Sequence, residues 1–426
     1  GDKSTIIPQY IQSAIKFALS RAHRDGAYDE HYRYEKPVVA TAFVLLSLLK
    51  SVKIMANSPH PTLLGEWEKR TIQKSLIWLR KNHEDVNIGN HQAGACLAML
   101  LGMELLGDTS IFEGFAAELT DLLGKQSPEG WFPEYNGCDL GYLSLTAAFL
   151  TQLYEALLRA TKAELFTSKS DLCKKLAEQV KTATFRILKF YEQVYLFGHP
   201  IVGYLWSRKT NHFFISGFCR ATRLFAKDPS LPGEFLQNLI ADFLALFENG
   251  AIEQMTDDAF LFFQLNDLLE SAMDLAQLEP QTASNDIRFP NNTLKFFPDA
   301  GLLIITTPAQ HTYLSLKATA AIVTFPKTNP HEGIKVYTGP ALQLQNKKRY
   351  QALTLGGAQL ELANPLNQPP SDLVMPMIRP ISATTISISG FLQPIPESTI
   401  TPFQSLGLTL LGMTLLKWGI INRLLK

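Results

Sequence analysis

The chain has little cysteine: Cys96, Cys138, Cys173 and Cys219 are the only four in 426 residues, and none has CxxC or Cys/His ligand spacing. A disulfide framework in a chain of this size would be denser, so covalent stapling is excluded as the basis of the fold. Three of the four lie in apolar, periodic stretches and read as small core residues; Cys138 lies in a loop and is the one candidate for a reactive thiol. An excess of charge is also lacking, with 39 Lys plus Arg against 39 Asp plus Glu. That balance argues against nonspecific nucleic-acid binding through phosphate neutralisation and leaves room only for a local basic patch. The opening Gly1-Asp-Lys-Ser has neither an initiator methionine nor the charged-then-apolar order of an export signal. The chain is therefore read as a processed or trimmed form, and its compartment stays open between periplasmic or membrane-associated and cytoplasmic.

What is there in quantity is helical periodicity. Apolar residues recur at three-to-four spacing over roughly 9–24, 37–56, 65–82, 91–107, 110–125, 141–161, 169–193, 212–226, 230–248 and 256–277. Short polar or Gly/Pro breaks between these runs imply antiparallel helix pairs. Aromatic and polar loops precede the runs near 37, 91, 141 and 212, and the first three recur about every fifty residues, one helix out and one back. Every second helix then starts at the same end of the array. A ring of hairpins, an α/α toroid or incomplete helical barrel, would gather the loops at one mouth; a solenoid is the competing arrangement.

Past Pro280 the texture changes. Short β-rich pieces at 301–307, 312–316, 320–325, 334–337, 350–355, 359–362 and 384–388 alternate with turns and suggest a smaller antiparallel β-sheet or sandwich. The expected organisation is a helical domain over 1–280, a sheet domain over 287–400 and an apolar C-terminal helix over 403–426. That last segment fits a helix packed on protein, an interfacial helix in peripheral membrane contact, or a span.

Four loops carry chemistry-bearing residues: Asp25-Gly-Ala-Tyr-Asp-Glu-His-Tyr-Arg-Tyr-Glu35; Asn87-Ile-Gly-Asn-His91-Gln92; Glu129-Gly-Trp-Phe-Pro-Glu-Tyr-Asn-Gly-Cys-Asp-Leu-Gly-Tyr142; and His199 through His212, with Arg208, Lys209 and Asn211. Rings beside carboxylates in a Gly-rich loop suit gripping a sugar, whereas the plainer reading is a packed turn with its acids in water. Gly89-Asn-His91 and Thr210-Asn-His212 each put Asn-His at an expected helix start, where Asn also serves as an ordinary N-cap.

Asp25-Gly-Ala-Tyr-Asp-Glu30, Ala40-Thr-Ala-Phe43, Gly89-Asn-His91 and Gly130-Trp-Phe-Pro-Glu-Tyr with Asp139-Leu-Gly-Tyr142 resemble the helical domain of heparinase II/III-like proteins, and Phe297-Pro-Asp-Ala-Gly301 resembles their sheet domain. The resemblance spans most of residues 20–340. It implies an α/α toroid joined to a β-sheet domain, a bacterial polysaccharide or oligosaccharide as partner, and lyase chemistry. In β-elimination a uronate carboxylate is neutralised, a base removes the C5 proton, and an acid protonates the leaving oxygen. By resemblance Asn90 is the neutraliser, His91 or His212 the base or its helper, and Tyr142 the acid or acid/base. Trp131 and Tyr135 are expected to stack on sugar, Arg208, Lys209 and Asn211 to meet an anionic chain, and Tyr32, Glu35, Glu134 and Asp139 to line its path. The sheet region holds only His311 and His331, without ligand spacing, so neither a metal nor another cofactor is expected.

Two other function classes stay open. A glycoside hydrolase would use paired acids, such as Glu134 with Asp139 or either with Glu35, about 5–5.5 Å apart for retention or about 6.5–9.5 Å for inversion. A glycan-binding or scaffold protein of polysaccharide assembly or export would line its groove with the same aromatics and have no converging proton-transfer groups.

Overall fold

The computed structural model describes residues 3–56, 64–84, 87–135, 137–195, 197, 205–208, 210, 212–248, 258–278, 293–308, 310–315 and short strands beyond these. Among the described residues there are ten α-helices, one short 3-10 helix (Glu164–Lys169) and three antiparallel sheets. The expected boundary near 280, the strand at 359–362 and the tail at 403–426 lie outside the described residues. The chain divides into two compact units, the first holding 1–125 and 149–184 of the described region, the second 126–148 and 185–397.

The first unit contains α1 (Lys3–Ser20), α2 (Val38–Ala56), α3 (Glu66–Lys81), α4 (Gly89–Leu106), α5 (Phe112–Gly124), most of α6 (Leu140–Ala160) and the first part of α7 (Ser170–Val194). The starts of α2, α4 and α6 are about fifty residues apart, as a repeat of helix hairpins requires. α4 is buried nearly all round, from Ala93 to Met103, and packs chiefly on α2. Its small residues allow this. A Cβ on Gly94 would lie 2.6 Å from the Phe43 ring, and one on Gly102 2.5 Å from Leu76. The helix stops where Gly107 turns left-handed at φ 65° and donates to the Met103 carbonyl at 3.0 Å. α2 is the one described helix long and apolar enough to cross a membrane, and more than half of it is buried in protein, as in a core helix.

In the same unit the first motif loop is tied down by backbone contacts. Gly26, at φ 95°, lies so close to α3 that an added Cβ would meet the Lys74 carbonyl carbon at 2.4 Å. Ser75 Oγ donates to the Gly26 carbonyl at 2.7 Å, and the Tyr28 amide donates to Thr41 Oγ1 at 3.0 Å.

The second unit holds the start of α6, the end of α7, α8 (Ser216–Phe225), α9 (Gly233–Glu248), α10 (Asp258–Leu275) and the strands. Tyr191, Phe213, Phe218, Phe235 and Phe243 form its aromatic core, with Phe213 stacked on Phe218 at 5.4 Å and Tyr191 edge-on to Phe218 at 4.9 Å. Burying a ring of this size contributes roughly 1.5–3 kcal/mol. Strands β1 (Thr293–Phe297), β2 (Leu302–Thr306), β3 (Gln310–Ser315), β4 (Ile322–Pro326) and β5 (Lys335–Tyr337) pair in chain order, every neighbour antiparallel. Their register runs Phe297↔Leu302, Leu302↔Ser315 and Gln310↔Pro326. In smaller sheets β7 (Arg349–Gln351) pairs with β6 (Ala341–Gln343) on one side and β10 (Gln393–Pro394) on the other, and β8 (Arg379–Ser382) pairs with β9 (Thr385–Ser387). β1, β6, β8 and β10 fall outside the strands expected from alternation: β1 is exposed over three successive residues, and the others are too short for a period of two to register.

Candidate functional site

The third motif loop opens with tight turns of the second unit. Gly130 sits at φ 110°, and a Cβ there would lie 2.3 Å from the Arg186 carbonyl oxygen. Only glycine lets the loop close on α7 at this point. Arg186 in turn donates to the Ser127 carbonyl at 2.7 Å. Trp131 is folded inward by these turns, buried, and its indole N–H donates to Glu129 Oε2 at 2.9 Å. The same carboxylate accepts the amides of Asp299 at 2.8 Å and Ala300 at 2.9 Å, in the turn between β1 and β2. Glu129 thus links the loop to the sheet, and the motif Phe297-Pro-Asp-Ala-Gly301 is the hairpin it grips. Trp131, expected to stack on sugar, is buried in this structure.

The loop tip is different. The Glu134 amide donates to the Gly137 carbonyl at 2.8 Å, closing a turn in which Tyr135 takes a left-handed φ of 59° and stays 40% exposed. A non-glycine residue held there costs of order 1–3 kcal/mol and persists only where its surroundings enforce it. Here the enforcement comes from the segment 205–208. Ser207 donates its amide to the Cys138 carbonyl and its hydroxyl to the Glu134 carbonyl, both at 3.0 Å. The Arg208 amide donates to Asp139 Oδ2 at 3.1 Å, while Asp139 Oδ1 accepts the Tyr142 amide at 3.0 Å and so caps α6.

This stitching sets the Arg208 guanidinium over two rings, 4.2 Å from the centroid of Tyr135 and 5.0 Å from that of Tyr142. It makes no ion pair with a carboxylate among the described residues. The nearby acids are turned inward: Glu134 and Asp139 are fully buried, and both Asp139 oxygens are engaged by backbone amides. They do not line an open path as expected, nor do they offer a solvent-facing carboxylate pair for hydrolysis. Burial pushes Asp139 up to about 6, opposed by the amides of Tyr142 and Arg208 and by the Arg208 charge. Burial also raises Tyr142, against the lowering effect of Arg208, so its phenol holds its proton.

His212 is half-buried in the same unit and does not begin a helix. Residues 212–215 have no regular secondary structure, and α8 starts at Ser216. The His212 amide donates to Thr210 Oγ1 at 3.2 Å, and its carbonyl oxygen lies 2.3 Å from where a Gly141 Cβ would stand. The Phe214 amide donates to Ser144 Oγ at 2.8 Å, fastening this segment to the first turns of α6. The second unit therefore brings Tyr135, Tyr142, Arg208 and the His212 backbone to one place.

Asn90, His91, Tyr32 and Glu35 belong to the first unit. Asn90 is buried in the first turn of α4, whose N-cap is Ile88 rather than an asparagine. His91 Nδ1 lies 2.9 Å from Glu84 Oε1, and its ring stands edge-on to Phe43 at 5.9 Å. In the first loop, Lys36 Nζ pairs with Asp25 at 2.7 Å, His23 Nε2 with Asp29 at 2.8 Å, and Glu35 accepts the His31 amide at 2.9 Å. Tyr34 and Lys36 of this loop, with Tyr135, are the non-glycine residues with positive φ among the described residues. Lys209 and Asn211 lie outside the described residues.

Three residues were not anticipated: Glu84 beside His91, Ser207, and Asp267. Asp267 on α10 accepts the amides of Ile215 at 2.7 Å and Ser216 at 3.1 Å, capping α8 from outside its own segment. Two residues of its helix, Glu270 and Asp274, pair with Arg220 and Arg223 of α8. The signal was present as acids at i, i+3 and i+7 on an otherwise apolar run, the spacing of one helix face. Compared with protein-family models, with curated proteins and with solved structures, the chain matches none.

Proposed function

We propose that the chain binds an acidic, uronate-containing polysaccharide and cleaves it by β-elimination, its helix hairpins forming an α/α toroid joined to a β-sandwich-like domain as in heparinase II/III-like proteins. The observation that carries the reading is the Arg208 guanidinium lying over Tyr135 and Tyr142, with the adjacent carboxylates buried and engaged. A planar cation offered from an aromatic platform suits a sugar carboxylate, since the guanidinium pairs with the anion while a ring packs on the sugar. Tyr142 then donates a proton to the leaving oxygen, and His212 takes the C5 proton. The burial of Asn90 favours a second reading, in which the chain binds such a glycan without cutting it.

The test is to incubate the protein with a panel of uronate-containing polysaccharides and follow the ultraviolet absorbance of unsaturated products. Appearance of product that Tyr142→Phe abolishes supports the lyase. Binding by calorimetry with no product across the panel selects the second reading, and release of reducing ends from a neutral glycan overturns both.

A further inference from the structure

Arg208 has no carboxylate partner to hold it among the described residues, so its place over the two rings is set elsewhere. Its backbone is held by a short set of bonds from 134–139 to 207–208: two to Ser207 from the carbonyls of Glu134 and Cys138, and one to Arg208 itself from Asp139 Oδ2. The bond from the Ser207 amide to the Cys138 carbonyl is backbone alone and survives most substitutions. Side chains supply the other two, Ser207 Oγ as donor and Asp139 Oδ2 as acceptor, and of these Asp139 alone also fixes Tyr142, by capping α6 through Oδ1. One buried carboxylate therefore spans the two elements that carry the cation and the phenol.

We infer that Asp139 is a positioning residue, which sets the Arg208 guanidinium over the Tyr142 ring and so makes the anion site competent; the glycan part of this inference rests on the reading under Proposed function. Asp139 contributes no contact to a ligand, being fully buried. Its charge acts against its own role: a carboxylate near Arg208 weakens the pull on an anion, and Arg208 and Asp139 do sense each other's charge. Removing it should tighten anion binding if only electrostatics mattered, and weaken binding if placement dominates. Opposite signs separate the two effects.

Asp139→Ser is the informative variant. Serine caps a helix about as well as aspartate, so α6 and the fold are kept, but its shorter side chain cannot also reach the Arg208 amide. Asp139→Asn, which keeps the shape with one acceptor oxygen, is the second variant if the first folds poorly. The first readout needs no glycan: the side-chain NMR signals of Arg208, assigned by their loss in Arg208→Lys, carry an upfield ring-current shift from Tyr135 and Tyr142. That shift should fall by at least half in Asp139→Ser at unchanged melting temperature, and its retention overturns the inference. The second readout is calorimetry with a galacturonate oligosaccharide, where about tenfold weaker binding is expected and tighter binding overturns the inference. If the full-length wild type binds no uronate while the ring-current shift collapses in the variant, the positioning role stands and the uronate reading falls.

Discussion

α4 and α8 look alike at their approaches, Gly-Asn-His before one and Thr-Asn-His before the other, yet the two helix starts are built differently. α4 begins within its motif, at Gly89, with Ile88 as N-cap and no side-chain cap. α8 begins only at Ser216, after an irregular run, and its first amides are satisfied by Asp267 from α10. His91 thus lies in a first helical turn, whereas His212 lies in an irregular lead-in. Amides at a buried helix start need acceptors, and whichever element supplies them decides where the helix begins.

The largest effect should come from breaking the remote cap. Asp267→Ala leaves the buried amides of Ile215 and Ser216 without an acceptor, and about 2–3 kcal/mol of stability should be lost in urea unfolding. Asn90→Ala at the other helix start should cost roughly 1 kcal/mol; equal losses would erase the contrast.

Gly141→Ala tests how tightly the irregular lead-in is held. Its Cβ would stand 2.3 Å from the His212 carbonyl oxygen, a backbone atom, whereas the Gly94 Cβ would meet the Phe43 ring, a side chain that can shift. Overpacking of this kind costs about 1–3 kcal/mol, and Gly141→Ala should lie at the upper end and Gly94→Ala at the lower, compared by thermal melting.

A pH series sharpens the same contrast. Burial raises Asp267 to about 7 from an ordinary value of 3.8, so its contribution to stability is present in full below the unfolded value and is lost as pH rises through about 7. Denaturant unfolding between pH 4 and 8 should show stability falling with rising pH in the wild type and falling less steeply in Asp267→Asn. An unchanged slope would remove Asp267 as its source. The smallest effect is expected from Glu84→Gln, which weakens one partly exposed partner of His91 and should change stability by less than about 1 kcal/mol.

How much could be read in advance follows from the range of each interaction. Helices with a strong apolar stripe, such as α5 and α9, lie within a few residues of the expected runs, because a period of 3.6 is local information. The start expected near 212 fails because a cap supplied from α10 has no local trace. Tyr142 and Arg208 were singled out separately, but nothing in their spacing placed a guanidinium over a phenol ring. Trp131, Glu134 and Asp139 are expected along a sugar path from their residue types, whereas the tight turns around Gly130 and the bonds from Ser207 and Arg208 accompany their burial.

By itself the amino-acid order determined a helical region with a recurring hairpin, an antiparallel strand region after it, and the loops in which polar and aromatic residues concentrate. These depend on side-chain period and turn chemistry, which act over a few residues. Tertiary structure alone decided which carboxylates face protein, that Arg208 lies over two rings with no carboxylate partner among the described residues, and where α8 begins. Those outcomes depend on donors finding acceptors tens of residues away, as Arg208 finds Asp139 and as Ile215 and Ser216 find Asp267.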